Sequence, residues 1–198
     1  MQRLQYYHTE HILASDVHGV HHKDSFVCHE TVSGDIVGLS DITGTVNYLD
    51  KIGYGIHGMV DKEGHMAWAY GLGEALFYHA GGVNERATGC ELVSLIPAMI
   101  AKKVITREQG WEMWLHRGAQ LTALAKMISA WHNSDPKRRP LVRSNSLHPG
   151  VCSHWDVSQH FSASKGHWDC QPHDKGGHFP LGHVIEMAKG YVHYGYHF

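Results

Sequence analysis

Two neighbouring stretches carry most of the chemistry in this chain: Ser153-His154-Trp155-Asp156-Val157 and Lys165-Gly166-His167-Trp168-Asp169-Cys170-Gln171-Pro172. Imidazoles, carboxylates and a thiol crowd into this one segment, and those are the groups that bind zinc. A local cluster does not close a tetrahedral site alone, so another ligand must come from elsewhere in the fold. His29 is the candidate, lying in the apolar segment Ser25-Phe26-Val27-Cys28-His29-Glu30-Thr31. A distant histidine joined to a C-terminal His and Asp describes a catalytic zinc with one position left open.

The elements that must position these residues follow from local pattern. Phe26 to Thr31 reads as a short buried strand between Asp24 and Ser33-Gly34-Asp35. Ser40-Asp41 opens a helix with Val46, Leu49 and Ile52 at helical spacing and Gly53 as its stop. Ile56 to Val60 and His65 to Tyr70 flank Asp61-Lys62-Glu63-Gly64, the chemistry of a β-hairpin turn. Gly89 to Leu95 is a further strand. Thr106 caps the longest helix, predicted to run to about Trp131, with Trp114, Leu121, Ala125, Ile128 and His132 as its core stripe. Residues 133–149 read as a loop, Val151 to His154 as extended, and 182–190 as a last helix. Strands interleaved with helices predict an α/β fold with a central mixed β-sheet flanked by helices. The expected layout is an irregular N-terminal arm over 1–24, one catalytic domain over 25–182, and a helix or tail over 183–198 packed on it.

The 198 residues suffice for one domain with a core of its own. Net charge is −2, and Lys137-Arg138-Arg139 reads as a solvated loop, so nothing suggests nucleic acid as a partner. Histidine is the outlier at 20 copies; a metal site uses three or four, and His18, His21, His22, His193 and His197 are expected at the surface. His148 and His160 lie near the metal segment without fitting its order, and His183 reads as surface. The four cysteines, Cys28, Cys90, Cys152 and Cys170, form no C-x-x-C pair. On strands, Cys28 and Cys90 would point away from the face of His29 and Glu91, as buried free thiols. The N-terminus lacks the apolar run of a signal peptide, and no segment is apolar enough to span a bilayer.

Six segments, in order, carry a resemblance. Val27-Cys28-His29-Glu30-Thr31 resembles the strand bearing the first zinc histidine in the zinc amidases related to peptidoglycan recognition proteins. Ile56-His57-Gly58-Met59-Val60-Asp61 resembles the hairpin of that family, and Tyr78-His79-Ala80-Gly81-Gly82 its WHAG segment. Thr88-Gly89-Cys90-Glu91-Leu92-Val93 is similar to its IGIEL strand, and Gly150-Val151-Cys152-Ser153-His154-Trp155-Asp156-Val157 to its GIxGHRDV segment. His167-Trp168-Asp169-Cys170 stands where the family has Lys or His followed by x-Asp-Pro-Gly. Together they span about residues 25–182 and look most like the amidase endolysins of bacteriophages.

That resemblance implies one catalytic Zn2+ on His29, His154 and Asp169, with water in the fourth position. The family Pro-Gly after the acidic ligand is Cys170-Gln171 here, and Cys170 is the rival third ligand. The resemblance implies Glu91 as general base and acid and His167 as donor to the oxyanion. His57, His79 and Trp155 are candidates for the substrate cleft. The implied function is N-acetylmuramoyl-L-alanine amidase, cutting the amide between muramic acid and L-alanine in peptidoglycan. An endolysin of this kind is expected to act as a monomer and to wait in the host cytoplasm until lysis. The alternatives are a non-catalytic peptidoglycan-binding module on the same fold and a zinc peptidase cutting within the stem peptide.

Overall fold

A computed structural model describes residues 7–8, 22–31, 42, 45, 55–68 and 76–196. Six strands form one mixed sheet: β1 (Tyr7–His8), β2 (Ser25–Glu30), β3 (Gly58–Val60), β4 (Met66–Trp68), β5 (Ala87–Leu92) and β6 (Gly150–Ser153), in the spatial order β1-β4-β3-β5-β2-β6. Among the described residues only the β3–β4 hairpin pairs antiparallel. Its turn is held by Asp61, whose Oδ1 accepts from the backbone N–H groups of Glu63 and His65.

Strand alternation divides the sheet into two unlike faces. Phe26 and Cys28 of β2, Val60 of β3, Cys90 and Leu92 of β5 and Val151 of β6 enter the main core. That core is closed by α2 (Arg107–Leu115), α3 (Gly118–Ser134) and α5 (Leu181–Tyr191), which contribute Trp114, Leu121, Trp131 and Val184 among others. On the opposite face Val27, Ala87 and Cys152 pack with Ala80, Val83 and Val157 in a smaller cluster. A short helix α1 (Ile96–Ala101) follows β5, and α4 (His154–His160) follows β6. All four cysteines are free and buried.

The single helix expected from Thr106 to Trp131 is two helices. Arg117 N–H closes a tight turn onto Trp114 O at 3.0 Å, and Arg117 itself leaves the helical region at φ −96, ψ 44. Its buried guanidinium reaches Val93 O and Gln120 Oε1, and Gly118, a poor helix residue, comes next. The anticipated stripe survives the break: Trp114, Leu121, Ala125 and Ile128 all lie in the main core. Part of the N-terminal arm, Tyr7–His8, is a strand parallel to β4; the rest of the arm up to residue 21 lies outside the described residues. So does the helix expected after Ser40, except that Ile42 and Thr45 are helical and buried. Helix α5 straddles residue 182, and Leu181, Val184, Ile185 and Ala188 are part of the main core. Among the described residues no helix is long and apolar enough to cross a membrane.

Trp131 shows how the core face is held. It is fully buried and meets Phe26 edge-on, with ring centroids 5.7 Å apart. Trp131→Ala is expected to lower unfolding free energy by about 3–5 kcal/mol, read from urea midpoints at constant m-value.

Candidate metal centre

The parallel strands β2, β5 and β6 end side by side, and the site lies at their carboxyl ends, as ligand sites do in open α/β sheets. His29 is the penultimate residue of β2, and its register partner on β5 is Glu91. Because paired residues on adjacent strands project from the same face, register alone sets the imidazole beside the carboxylate. The third strand ends in Ser153, which caps α4: its Oγ accepts from Asp156 N–H, and the Asp156 side chain accepts from Ser153 N–H. Arg143 fixes that Asp156 at 2.7 Å. Residue 154, first in the helix, is thereby aimed across the strand ends.

His29, His154 and Asp169 converge there, with one donor atom of each lying within 4.8 Å of the others. The two Nδ1 atoms face each other at 3.0 Å. Asp169 Oδ2 is 3.2 Å from His154 Nδ1 and 3.5 Å from His29 Nδ1. Two ligands on a tetrahedral zinc, each about 2.0–2.1 Å from it, stand ~3.3 Å apart. Two imidazole nitrogens and a carboxylate at these spacings therefore fit such an ion. Burial, then the nearby His154, lowers His29 to about 4, so its ring is neutral, as a ligand must be. Burial alone would push Asp169 up, but hydrogen bonds from His154 and His167 hold it well below the usual carboxylate range.

Cys170 does not join this group. It adopts a left-handed backbone, φ 54, and its side chain is buried in the main core, where burial pushes the thiol pKa up. The turn sends neighbouring side chains to different places: Asp169 to the histidines, Cys170 into the core.

Glu91 is half-buried, and among the described residues its buried Oε2 has no hydrogen-bond partner. Burial, followed by repulsion from Asp169 and Glu30, raises its pKa well above the ordinary value. A buried, unpaired carboxylate oxygen beside a candidate metal group suits proton transfer better than structure. His167 stacks on His154 with centroids 4.1 Å apart and is 55% exposed. Its neighbour Asp169 raises its pKa, which favours the protonated, donating form. Trp155, half-buried, lines a surface groove with Lys165, His167 and Trp168, and its backbone N–H donates to the backbone O of Asp169 at 3.3 Å.

The other two cleft candidates sit elsewhere. His57 has no exposed surface; its Nδ1 accepts from Gly89 N–H at 3.0 Å, so it is a packed polar group and no wall of a cleft. His79 is half-buried behind His29, its Nδ1 3.0 Å from His29 Nε2.

Glu30 has a role that the sequence reading missed. Its carboxylate is buried and accepts from three donors: Trp114 Nε1–H at 3.0 Å, Cys170 N–H at 2.8 Å and His178 Nε2–H at 2.7 Å. It thus ties the strand bearing His29 to the turn bearing Asp169. The signal was available: alternation puts Glu30 on the face of Phe26 and Cys28, and a carboxylate on an apolar face must find donors.

No family model matches the sequence, and neither does any curated protein. Solved structures do match. The hydrolase AmiA of Staphylococcus aureus aligns at TM-score 0.58 and 13% identity, over 88% of this chain and 77% of its own. The N-acetylmuramoyl-L-alanine amidase LysC of Clostridium intestinale URNW aligns at TM-score 0.54 and 17% identity, over 85% of this chain and 87% of its own. The endolysin N-acetylmuramoyl-L-alanine amidase LysCS of the same organism aligns at TM-score 0.55 and 17% identity, over 85% of each chain. At these identities the likeness is one of fold: this chain has the architecture of the N-acetylmuramoyl-L-alanine amidases.

Proposed function

We propose that this chain is a zinc-dependent N-acetylmuramoyl-L-alanine amidase that acts on bacterial peptidoglycan as a phage endolysin. The observation that carries the reading is the His29, His154 and Asp169 group with the unpartnered Oε2 of Glu91 beside it in strand register. The fold shared with LysC, LysCS and AmiA supports it.

His29, His154 and Asp169 would hold zinc, which would supply Lewis acidity toward the scissile carbonyl and a bound water molecule. Glu91 takes the proton of the attacking water on Oε2 and returns it to the nitrogen of the departing L-alanine. A raised pKa suits both halves of that cycle, since the group must gain and lose a proton near neutral pH. The exposed ring N–H of His167 donates to the carbonyl oxygen as negative charge develops there. Trp155 and Trp168 form a wall along the groove leading away from His167. The same reading places the protein in the host cytoplasm until lysis and treats it as a monomer.

Digestion of purified cell walls, followed by identification of the new termini, tests the assignment. Free L-alanine amino groups on intact glycan strands are the expected products. New amines from within the stem peptide would transfer the reading to a zinc peptidase. Bound zinc with no products would leave a peptidoglycan-binding module.

A further inference from the structure

We propose that His79 is a positioning residue that fixes the tautomer of His29 and so aims the lone pair of His29 Nδ1 at the metal. The inference rests on the reading of His29 as a zinc ligand.

A hydrogen-bond chain runs from Ala87 O through His79 to His29. His79 Nε2 lies 3.3 Å from Ala87 O, a carbonyl that only accepts, so this nitrogen carries the proton. In a neutral imidazole the other nitrogen, Nδ1, is then an acceptor. That atom faces His29 Nε2 at 3.0 Å, so His29 must hold its proton on Nε2 and donate it. What remains on His29 is an unprotonated Nδ1, the atom facing His154 and Asp169. His29 is 2% exposed and His79 half-buried, and burial of a ring disfavours its charged form. A backbone carbonyl thus sets the ligating atom through two imidazoles. Ligating histidines commonly donate their second nitrogen directly to a carbonyl or carboxylate; here a second histidine is interposed.

The surroundings are shaped to hold His79 in this place. Gly89 is on the same strand and face as Glu91, and a Cβ there would lie 2.5 Å from His79 Nδ1. Glycine at 89 is therefore the condition for the ring to lie against the sheet. Asn84 Oδ1 accepts from the backbone N–H groups of His79 at 3.0 Å and Ala80 at 2.7 Å, fixing the loop. The buried ring of His57 stands edge-on to His79 with centroids 5.5 Å apart. A residue used only to touch substrate needs neither a carbonyl partner behind it nor a missing Cβ beneath it.

The experiment uses the full chain in three forms: wild type, His79→Phe and His79→Asn. Phenylalanine keeps the ring and removes both nitrogens; asparagine returns an acceptor oxygen close to the position of Nδ1. Zinc affinity is measured by competition with a chromophoric chelator. The His29 tautomer in the metal-free protein is read from long-range proton–nitrogen NMR correlations. Wild type is expected to show His29 protonated on Nε2. His79→Phe is expected to lose that preference and bind zinc about 10–100-fold more weakly, with His79→Asn recovering most of the affinity. Unchanged affinity and an unchanged His29 tautomer in folded His79→Phe would overturn the proposal. If the phenylalanine variant does not fold, wild-type-like tautomer and affinity in His79→Asn support it, and loss of both overturns it. Should wild type bind no zinc, the metal reading fails by itself. The tautomer measurement in wild type and His79→Phe then decides the inference alone.

Discussion

Glu91→Gln is expected to lower turnover on cell walls by about 10²–10⁴-fold while leaving zinc bound. The amide keeps the shape of the carboxylate but cannot accept the proton of the attacking water. A second effect runs the other way. In the metal-free protein the Glu91 pKa is raised by burial and by Asp169 and Glu30. Below the unfolded-state value, about 4.3, the carboxyl is neutral in both states and folding does not feel it. As pH rises past that value the unfolded chain releases the proton first, so stability falls until the folded group ionises too. Glu91→Gln removes this loss, and metal-free Glu91→Gln should melt higher than wild type at pH 7 but not at pH 4. Full turnover in the glutamine variant would remove Glu91 from the proton-transfer role. Matched pH slopes of the two melting temperatures would show that its burial carries no strain.

The next largest effect comes from a pair of neighbours. Asp169→Ala is expected to weaken zinc binding by more than the roughly 10–100-fold typical of outer-shell changes, and to abolish activity at ordinary zinc levels. Cys170→Ala is expected to keep zinc and activity while lowering stability by about 1 kcal/mol, because the thiol fills the main core. Native mass spectrometry of the two variants reads metal content directly. Zinc lost from Cys170→Ala but retained by Asp169→Ala would make the thiol the ligand and overturn the assignment.

What could be read in the sequence, and what could not, divides on physical lines. Period-two alternation foretold that Cys28 and Cys90 face away from His29 and Glu91, and the sheet obeys it. The hairpin at Asp61 was legible because its turn chemistry is local. The break at Arg117 was not, because it depends on Val93 O, a carbonyl from another element. Glu30 escaped for a similar reason: its partners lie at Trp114, Cys170 and His178, which no local pattern joins to it. His57 and His79 belong to similar-looking polar segments, yet one is sealed against Gly89 and the other stands behind His29. Only tertiary contacts separate them.

The Glu30 carboxylate also bears on how this protein tolerates change. One side chain is shared by a core tryptophan, by His178 in the loop before the last helix and by the amide next to a candidate ligand. Substitutions at Trp114 and His178 are therefore coupled through a common partner, which also holds the Cys170 amide beside Asp169, and their effects will not sum. A search for variants that treats the packing of the core and the metal group as separable problems will meet epistasis at this one carboxylate.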